Sequence, residues 1–194
     1  MSVYLLNNKF NIEYEFHQGE NGQTIVIFHP HPLYEGTMMN KVITTSSIAA
    51  KQLGYSFLRF NYPGVGNSDG FFGFGYHEAC QALGLMSEII NEPIKYLIGF
   101  SFGCNVIQYV WQQQKEKTPT IWIGASINET LSSLSELASV KGWIHGEVDL
   151  LCPYSKAMLF AKEKNIQLHG VSNADHFFNG QQIVLRETLK ELIV

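Results

Sequence analysis

At its centre the chain carries the run Tyr96-Leu97-Ile98-Gly99-Phe100-Ser101-Phe102-Gly103. The apolar residues that open this run have the length and composition of a buried strand, and the segment from Cys104 to Lys115 repeats apolar residues at helical spacing. Gly99 and Gly103 allow strand and helix to approach closely, and the tight turn between them holds Ser101 in a strained backbone conformation. The run therefore predicts a strand, a turn and a helix, with Ser101 at the carboxyl end of the strand.

Strand and helix patterns alternate on both sides of this run. Short apolar segments, typical of strands that are covered on both faces, occur at Ile25–Phe28, Phe57–Phe60, Ile121–Ile123, Lys141–His145 and Ile166–Val171. Segments with helical spacing lie between and after them, at Lys41–Leu53, Tyr76–Ile90, Tyr154–Lys164 and Gln181–Val194. This alternation predicts an α/β fold with a doubly wound, mostly parallel sheet. Val3–Leu6 and Phe10–Phe16, joined at Asn7-Asn8, predict an antiparallel hairpin at the N-terminal edge of that sheet.

Composition and charge limit the class of protein and the kind of partner. The chain has 194 residues, of which 45% are hydrophobic, and this suits one domain over residues 1–194 with a full core. The formal net charge is -4 without a long basic run, so nucleic acid and anionic membrane surfaces are poor partners. No apolar run is long enough for a membrane span, and the N-terminus lacks the pattern of a signal peptide. We therefore expect a cytoplasmic protein with a small-molecule substrate; the residues indicate no oligomeric state.

The cysteines do not suggest a metal or disulfide framework. Cys80, Cys104 and Cys152 are widely spaced and form no C-x-x-C pair, so reduced thiols are expected. Cys80 and Cys104 fall in predicted helices, where they are expected to pack as small apolar groups. Cys152 differs because it lies close to a candidate catalytic acid.

Polar residues stand where ligands bind in a doubly wound sheet, beyond the carboxyl ends of strands. Ser101 lies within Gly-x-Ser-x-Gly, the pattern of a nucleophilic serine on a strand-to-helix turn. A serine hydroxyl needs a neighbouring base, and His176 follows the predicted last strand on a loop that can return over Ser101. Asp149 follows the strand before it and is the candidate acid that orients the histidine, with Glu147 and Asp175 as rivals. We expect Ser101 as nucleophile, His176 as general base and Asp149 as acid.

Backbone N–H groups are the expected partners of the negative charge that develops when a serine attacks a carbonyl. Phe102, at the start of the helix, is expected to supply one. The second is expected from the loop after the first parallel strand, where the register favours His31, with Leu33 as the alternative. Pro30 and Pro32 have no N–H to donate.

The same loop raises the question of a metal. His29 and His31 stand two residues apart and could share a cation with a carboxylate such as Glu35. No further ligand stands at a recognisable spacing, so no metal and no cofactor is predicted. One imidazole is expected to hold the loop by hydrogen bonding instead.

Over nearly its whole length the chain resembles the α/β-hydrolase superfamily. His29-Pro30-His31-Pro32-Leu33-Tyr34 is similar to the oxyanion-side loop of small hydrolases that carry a His-Pro-His-Pro sequence, relatives of dienelactone hydrolases and bacterial acyl hydrolases. Arg59-Phe60-Asn61-Tyr62-Pro63-Gly64-Val65-Gly66-Asn67-Ser68-Asp69-Gly70 is similar to their glycine-rich turn. The resemblance implies the roles given above for Ser101, Asp149 and His176.

Features of the substrate site follow from the same resemblance. Glu35 stands where relatives usually have glycine, and Phe71-Phe72-Gly73-Phe74-Gly75 is more aromatic than the usual polar stretch. The interval between Ile123 and Lys141 is too short for the helical lid of larger relatives, so we expect a lidless, shallow site. The residues expected to wall it are Leu33, Tyr34, Phe71, Phe72, Phe102 and Phe177.

Together these residues predict a serine hydrolase that cleaves a small carboxylic ester or thioester through an acyl-enzyme on Ser101. Peptide and lactone bonds are cleaved by the same machinery, so a peptidase or a lactonase stays an alternative. The alternative from a different class is a non-catalytic binding protein that retains the fold. The presence of all three triad candidates argues against it.

Overall fold

The computed structural model describes residues 3–7, 10–127, 137 and 139–193. Its strands are β1 (Val3–Asn7), β2 (Phe10–His17), β3 (Thr24–Phe28), β4 (Ser56–Phe60), β5 (Ile94–Phe100), β6 (Thr120–Ile123), β7 (Val140–Gly146) and β8 (Leu168–Val171). The helices are α1 (Lys41–Gln52), α2 (Tyr76–Ile89), α3 (Phe102–Gln113), α4 (Tyr154–Lys164) and α5 (Gln182–Leu192), and a short 3-10 turn covers Pro32–Tyr34.

The strands form one sheet in the order β1-β2-β4-β3-β5-β6-β7-β8. β1 pairs antiparallel with β2, and β2 with β4, whereas every later pair in this order is parallel. The predicted doubly wound, mostly parallel sheet with an antiparallel N-terminal edge is therefore confirmed. Asn8 of the predicted hairpin turn and Val194 of the predicted last helix lie outside the described residues.

Helices cover both faces of the parallel strands, which is why those strands are apolar throughout. On one face Val26 and Leu97 belong to a core with residues of α2, α3 and α4. On the other, Ile27 and Ile98 belong to a core with residues of α1 and α5. Alternate strand residues point to opposite faces, so consecutive apolar residues serve the two layers in turn. None of the helices formed by the described residues combines the length and apolar character that a bilayer span requires.

Among the element boundaries that differ from the predicted ones, two have a clear structural reason. α3 begins at Phe102 rather than at Cys104, because the turn at the preceding serine leads directly into the helix. β8 begins at Leu168 rather than at Ile166. The reason is that the Ile166 N–H donates to the Ala161 carbonyl and so closes the end of α4.

The carboxyl ends of the parallel strands meet at one edge of the sheet. The loops and turns that follow β3, β5, β7 and β8 carry His31, Ser101, Asp149 and His176 respectively. In this architecture, that edge is where ligands bind.

Candidate active site

Ser101 lies on the turn between β5 and α3, with φ 52 and ψ -114. The turn is tight because a Cβ at Gly99 would lie 2.7 Å from the Cys104 backbone nitrogen. A Cβ at Gly103 would lie 2.2 Å from the Phe28 carbonyl oxygen. Backbone atoms cannot yield to a methyl group at such distances, so the two glycines of Gly-x-Ser-x-Gly have a steric cause in this chain.

Ser101, His176 and Asp149 are hydrogen-bonded in series. His176 Nε2 lies 3.1 Å from Ser101 Oγ, and His176 Nδ1 lies 2.7 Å from Asp149 Oδ2. His176 and Asp149 are buried, and Ser101 is half-buried. With Nδ1–H donating to the carboxylate, Nε2 is the atom that can accept the serine proton. The structure thus brings the three predicted residues together in the order that proton transfer requires.

The loop after β7 holds the Asp149 carboxylate from one side. Asp149 Oδ1 accepts the backbone N–H groups of Leu151 at 2.9 Å and Cys152 at 2.8 Å. These bonds leave Oδ2 for His176. The carboxylate is therefore fixed before any substrate binds.

The rival acids are engaged elsewhere. Glu147 Oε2 accepts from Ser172 Oγ at 2.8 Å. Asp175 Oδ1 accepts the N–H groups of Phe177 and Asn179 at 3.0 and 2.9 Å. Both carboxylates stabilise loops, and neither bonds the imidazole of the triad.

A second buried histidine, not expected from the sequence pattern, supports the Asp149 loop. His145 Nε2 lies 2.6 Å from the Cys152 carbonyl oxygen, so this nitrogen carries the proton and donates it. The same nitrogen is 3.4 Å from Asp149 Oδ2. Burial lowers the pKa of His145, which keeps the ring neutral. The one sequence signal for this role is that His145 ends a strand at the same sheet edge.

The surroundings of His176 favour its charged form. Burial opposes the charge, but hydrogen bonds and electrostatic interactions with Asp149 and with Cys152 raise the pKa of His176 to about 9. Ligand-type atoms of Asp149, Cys152 and His176 all lie within 4.8 Å of one another. A metal ion at this cluster would have to break the 2.7 Å bond between His176 and Asp149. His176 Nδ1 and Asp149 Oδ2 are thus paired with each other.

The loop after β3 turns sharply at His31. The N–H groups of Tyr34 and Gly36 donate to the His31 carbonyl, and the Leu33 N–H donates to His31 Nδ1 at 3.2 Å. Leu33, the alternative oxyanion donor, is thus already used. Within the described residues the N–H groups of His31 and Phe102 have no hydrogen-bond partner, and both residues line the same cavity as the serine. These two N–H groups are free to bind an oxyanion.

His29 supports this loop from beneath. Its Nδ1 lies 2.7 Å from the Pro30 carbonyl, and its Nε2 accepts the Tyr62 N–H at 3.1 Å. Burial lowers the pKa of His29 to about 3, so the ring is neutral. Both nitrogens are engaged, which leaves His29 no lone pair for a metal ion.

Both departures from the family pattern have a structural counterpart. Glu35 has φ 58, in the left-handed region that favours glycine. Near the aromatic stretch, the fully buried Glu78 accepts the N–H of Gly73 at 2.6 Å and that of Gly75. A buried carboxylate therefore shapes the loop that carries the extra aromatic rings.

A cavity of about 340 Å³ opens in front of the serine. Of the predicted wall residues, Tyr34, Phe102 and Phe177 line it. The rest of its lining, apart from the triad residues Ser101 and His176, consists of Pro30, His31, Asn105, Ser126, Leu151 and Cys152. Several of these follow β6 and β7, on loops whose paths the sequence pattern does not fix.

Three predicted wall residues lie elsewhere. Leu33 is 72% exposed and Phe71 is 69% exposed, so both side chains face solvent. Phe72 packs against the Phe102 ring, with centroids 5.4 Å apart, and does not reach the cavity. Among the thiols, Cys104 is buried as predicted, whereas Cys80 is exposed because its position on α2 faces away from the sheet.

Solved structures share this architecture. An α/β serine hydrolase homologue from Coxiella burnetii aligns over 100% of this chain and 97% of its own, with a TM-score of 0.89 and 29% identity. A serine hydrolase without a lid from Xanthomonas campestris aligns over 100% of this chain and 93% of its own, with a TM-score of 0.84 and 24% identity. The chain has the α/β-hydrolase fold. The similarity to the Coxiella protein supports the interpretation of this chain as a hydrolase. The similarity to the Xanthomonas protein supports the fold alone.

Comparison of sequences finds a relative that matches part of the chain. An uncharacterized protein of Rickettsia prowazekii is 33% identical over 112 residues, which are 56% of this chain and 47% of that protein. The match therefore spans about half the length of that relative. No protein-family model matches the chain.

Proposed function

We propose that the protein is a serine hydrolase that cleaves a small carboxylic ester or thioester through an acyl-enzyme on Ser101. The observation that carries this proposal is the hydrogen-bonded series from Ser101 Oγ through His176 to Asp149, at 3.1 and 2.7 Å, on the wall of a cavity. A hydroxyl is a weak nucleophile unless a base is held beside it, and this series holds one.

Each step assigns a role to a residue of the site. Ser101 Oγ attacks the acyl carbon while His176 Nε2 takes the hydroxyl proton, and Asp149 stabilises the imidazolium that results. The carbonyl oxygen becomes an oxyanion that the free N–H groups of His31 and Phe102 can bind. The tetrahedral intermediate collapses, the bond to the alcohol or thiol breaks, and the leaving group takes the proton from His176.

Water completes the cycle by the same route. His176 removes a proton from water, the resulting oxygen nucleophile attacks the acyl-enzyme, and the second intermediate releases the carboxylic acid and restores Ser101. No group beyond the chain and water is needed to balance these steps.

The size and walls of the cavity support a small or short-chain acyl substrate. A volume of about 340 Å³ is at the low end for a small-molecule site. The rings of Tyr34, Phe102 and Phe177 give it apolar surface for an alkyl or aryl group.

A series of p-nitrophenyl esters and N-acetylcysteamine thioesters, from acetyl to dodecanoyl, tests this proposal. We expect the highest kcat/KM for short chains and a fall for chains longer than about eight carbons. Ser101→Ala should reduce kcat by about 10⁴-fold or more while folding is unchanged. Ser172→Ala, which alters a loop serine outside the triad, is the matched control and should keep wild-type turnover.

Other outcomes would redirect the proposal. Turnover that survives Ser101→Ala would contradict a nucleophilic role for this serine. A folded wild-type protein without turnover of any ester or thioester would favour the non-catalytic binding protein.

A further inference from the structure

A second cavity, of about 200 Å³, adjoins the catalytic one. The two share Ser126, Leu151 and Cys152 as lining residues. A ligand whose acyl group lies at Ser101 can therefore extend past Cys152 into the second space. We call this second space the lysine pocket; its remaining lining residues are Ala125, Ile127, His145, Pro153, Lys156 and Ala157.

Lys156 gives the lysine pocket its charge. Among the residues that line the two cavities, it is the one with a permanent charge, and no aspartate or glutamate is among them. In the described part of the chain Lys156 forms no salt bridge. An anionic group that entered from the catalytic cavity would therefore meet an unpaired ammonium group.

The placement of Lys156 on α4 adds to the positive potential. It lies in the first turn of the helix, and no acidic residue occupies that turn. The N-terminus of a helix carries partial positive charge, so lysine is unfavourable there unless an anion approaches. The helix end and the ammonium group thus both favour an anionic ligand.

His145 also lines the lysine pocket. Its Nε2–H donates to the Cys152 carbonyl, so Nδ1 is the acceptor of the neutral ring. This Nδ1 is buried and has no partner among the described residues. This atom is closed off from the cavity, so Lys156 is the polar group on which the binding of an anion depends.

We propose that the lysine pocket binds a carboxylate of the substrate, so that the preferred substrates are short esters or thioesters that also carry a carboxylate. This inference rests on the proposed function and names its substrate class. Lys156 acts as a binding residue and takes no part in bond cleavage.

Matched ester pairs test the proposal. On the acyl side the pair is p-nitrophenyl hemisuccinate and p-nitrophenyl methyl succinate; on the leaving-group side it is 4-acetoxybenzoate and its methyl ester. We expect kcat/KM to favour the carboxylate member of one pair, and the pair that shows the preference identifies the side that enters the lysine pocket.

Variants of two lysines on the same helix complete the test. Lys156→Met should lower kcat/KM for the preferred carboxylate ester by about tenfold, mainly through KM, and Lys156→Glu should lower it further. The neutral member should keep its kcat/KM in both variants. Lys156 and Lys162 are both exposed, but Lys162 lies outside the cavities, so Lys162→Met removes the same charge and should leave all four substrates unchanged.

The same assays distinguish a protein that lacks the carboxylate site from one that lacks hydrolase activity. If the neutral esters are hydrolysed in a Ser101-dependent way but Lys156→Met does not change the ratio between members of either pair, the lysine pocket is not a carboxylate site. An equal loss in Lys162→Met would also overturn it, because the effect would then come from net charge. If no ester is hydrolysed by wild type, the proposed function itself fails.

Discussion

At the scale of single residues, Ser101 combines a reactive position with an unfavourable backbone conformation. Its φ of 52 and ψ of -114 lie where residues other than glycine are rare. The turn at Gly99 and Gly103 holds it there. The strain presents the hydroxyl to His176, so we expect a conflict between stability and activity at this position.

Replacement of Ser101 by two small residues separates these effects. Ser101→Gly should have a free energy of unfolding about 1 kcal/mol higher than Ser101→Ala, because glycine adopts this conformation without strain. Both variants should be inactive. Urea denaturation monitored by tryptophan fluorescence measures the difference, and a glycine variant less stable than the alanine variant would contradict the claim of strain.

The charged state of His176 predicts the pH dependence. Only the neutral ring accepts a proton from Ser101, and the pKa of His176 is raised to about 9, so kcat/KM should rise with pH and level off on the alkaline side. The raised pKa also means that the charged ring contributes stability below its ordinary value of 6.5, and this contribution is lost as pH rises through about 9.

A pH profile of kcat/KM with a neutral ester checks this expectation. Cys152→Ala removes one group that raises the pKa of His176, so its profile should shift towards lower pH. A wild-type midpoint at or below 6.5 would show that the imidazole is not held as described.

The residues that meet at the site could be predicted from the sequence, but the contacts that hold them in place could not. The position of Ser101 on a strand-to-helix turn was predictable because two glycines flank it after a buried strand, and that of His176 at the same sheet edge because it follows the last strand. The role of His145 was not, since it depends on a bond to the Cys152 carbonyl across a loop turn. A sequence pattern contains the histidine but not the path of that loop.

At the scale of elements, the alternation of apolar strands and amphipathic helices was sufficient to predict the sheet and its antiparallel edge. Boundaries that depend on the hydrogen bonds that close a preceding helix were harder to predict, as at the start of β8. The aromatic stretch of residues 71–74 shows the same limit. Phe71 and Phe72 were predicted to wall the site, but Glu78 binds the backbone of Gly73 and Gly75, and Phe71 faces solvent.

Gly103, in the turn from β5 to α3, and Gly84, in α2, should respond in opposite ways to replacement by alanine. Gly103→Ala should lower the free energy of unfolding by about 3 kcal/mol and reduce activity, because the methyl group would meet the Phe28 carbonyl. Gly84→Ala, inside α2 with no atom within 4 Å of the added Cβ, should instead raise stability by about 0.5–1 kcal/mol. Thermal or urea denaturation of the two variants measures both effects, and equal destabilisation would contradict the close contact at Gly103.

At the scale of the whole molecule, the site exists only because the sheet closes distant parts of the chain onto one edge. Ser101 and His176 are 75 residues apart in sequence, and His176 and Asp149 are 27 apart. Parallel strands made this convergence predictable. The distances of 3.1 and 2.7 Å were not, because they depend on how three loops pack.

Activity-based labelling is the first measurement to make on Ser101, since a fluorophosphonate probe reacts with a serine only when a base has activated it. Purified protein is treated with the probe, and the labelled peptide is identified by mass spectrometry. We expect labelling of wild type at Ser101, none in Ser101→Ala, and strongly reduced labelling in His176→Ala. A folded wild-type protein that stays unlabelled, or is labelled at another residue, would contradict this expectation.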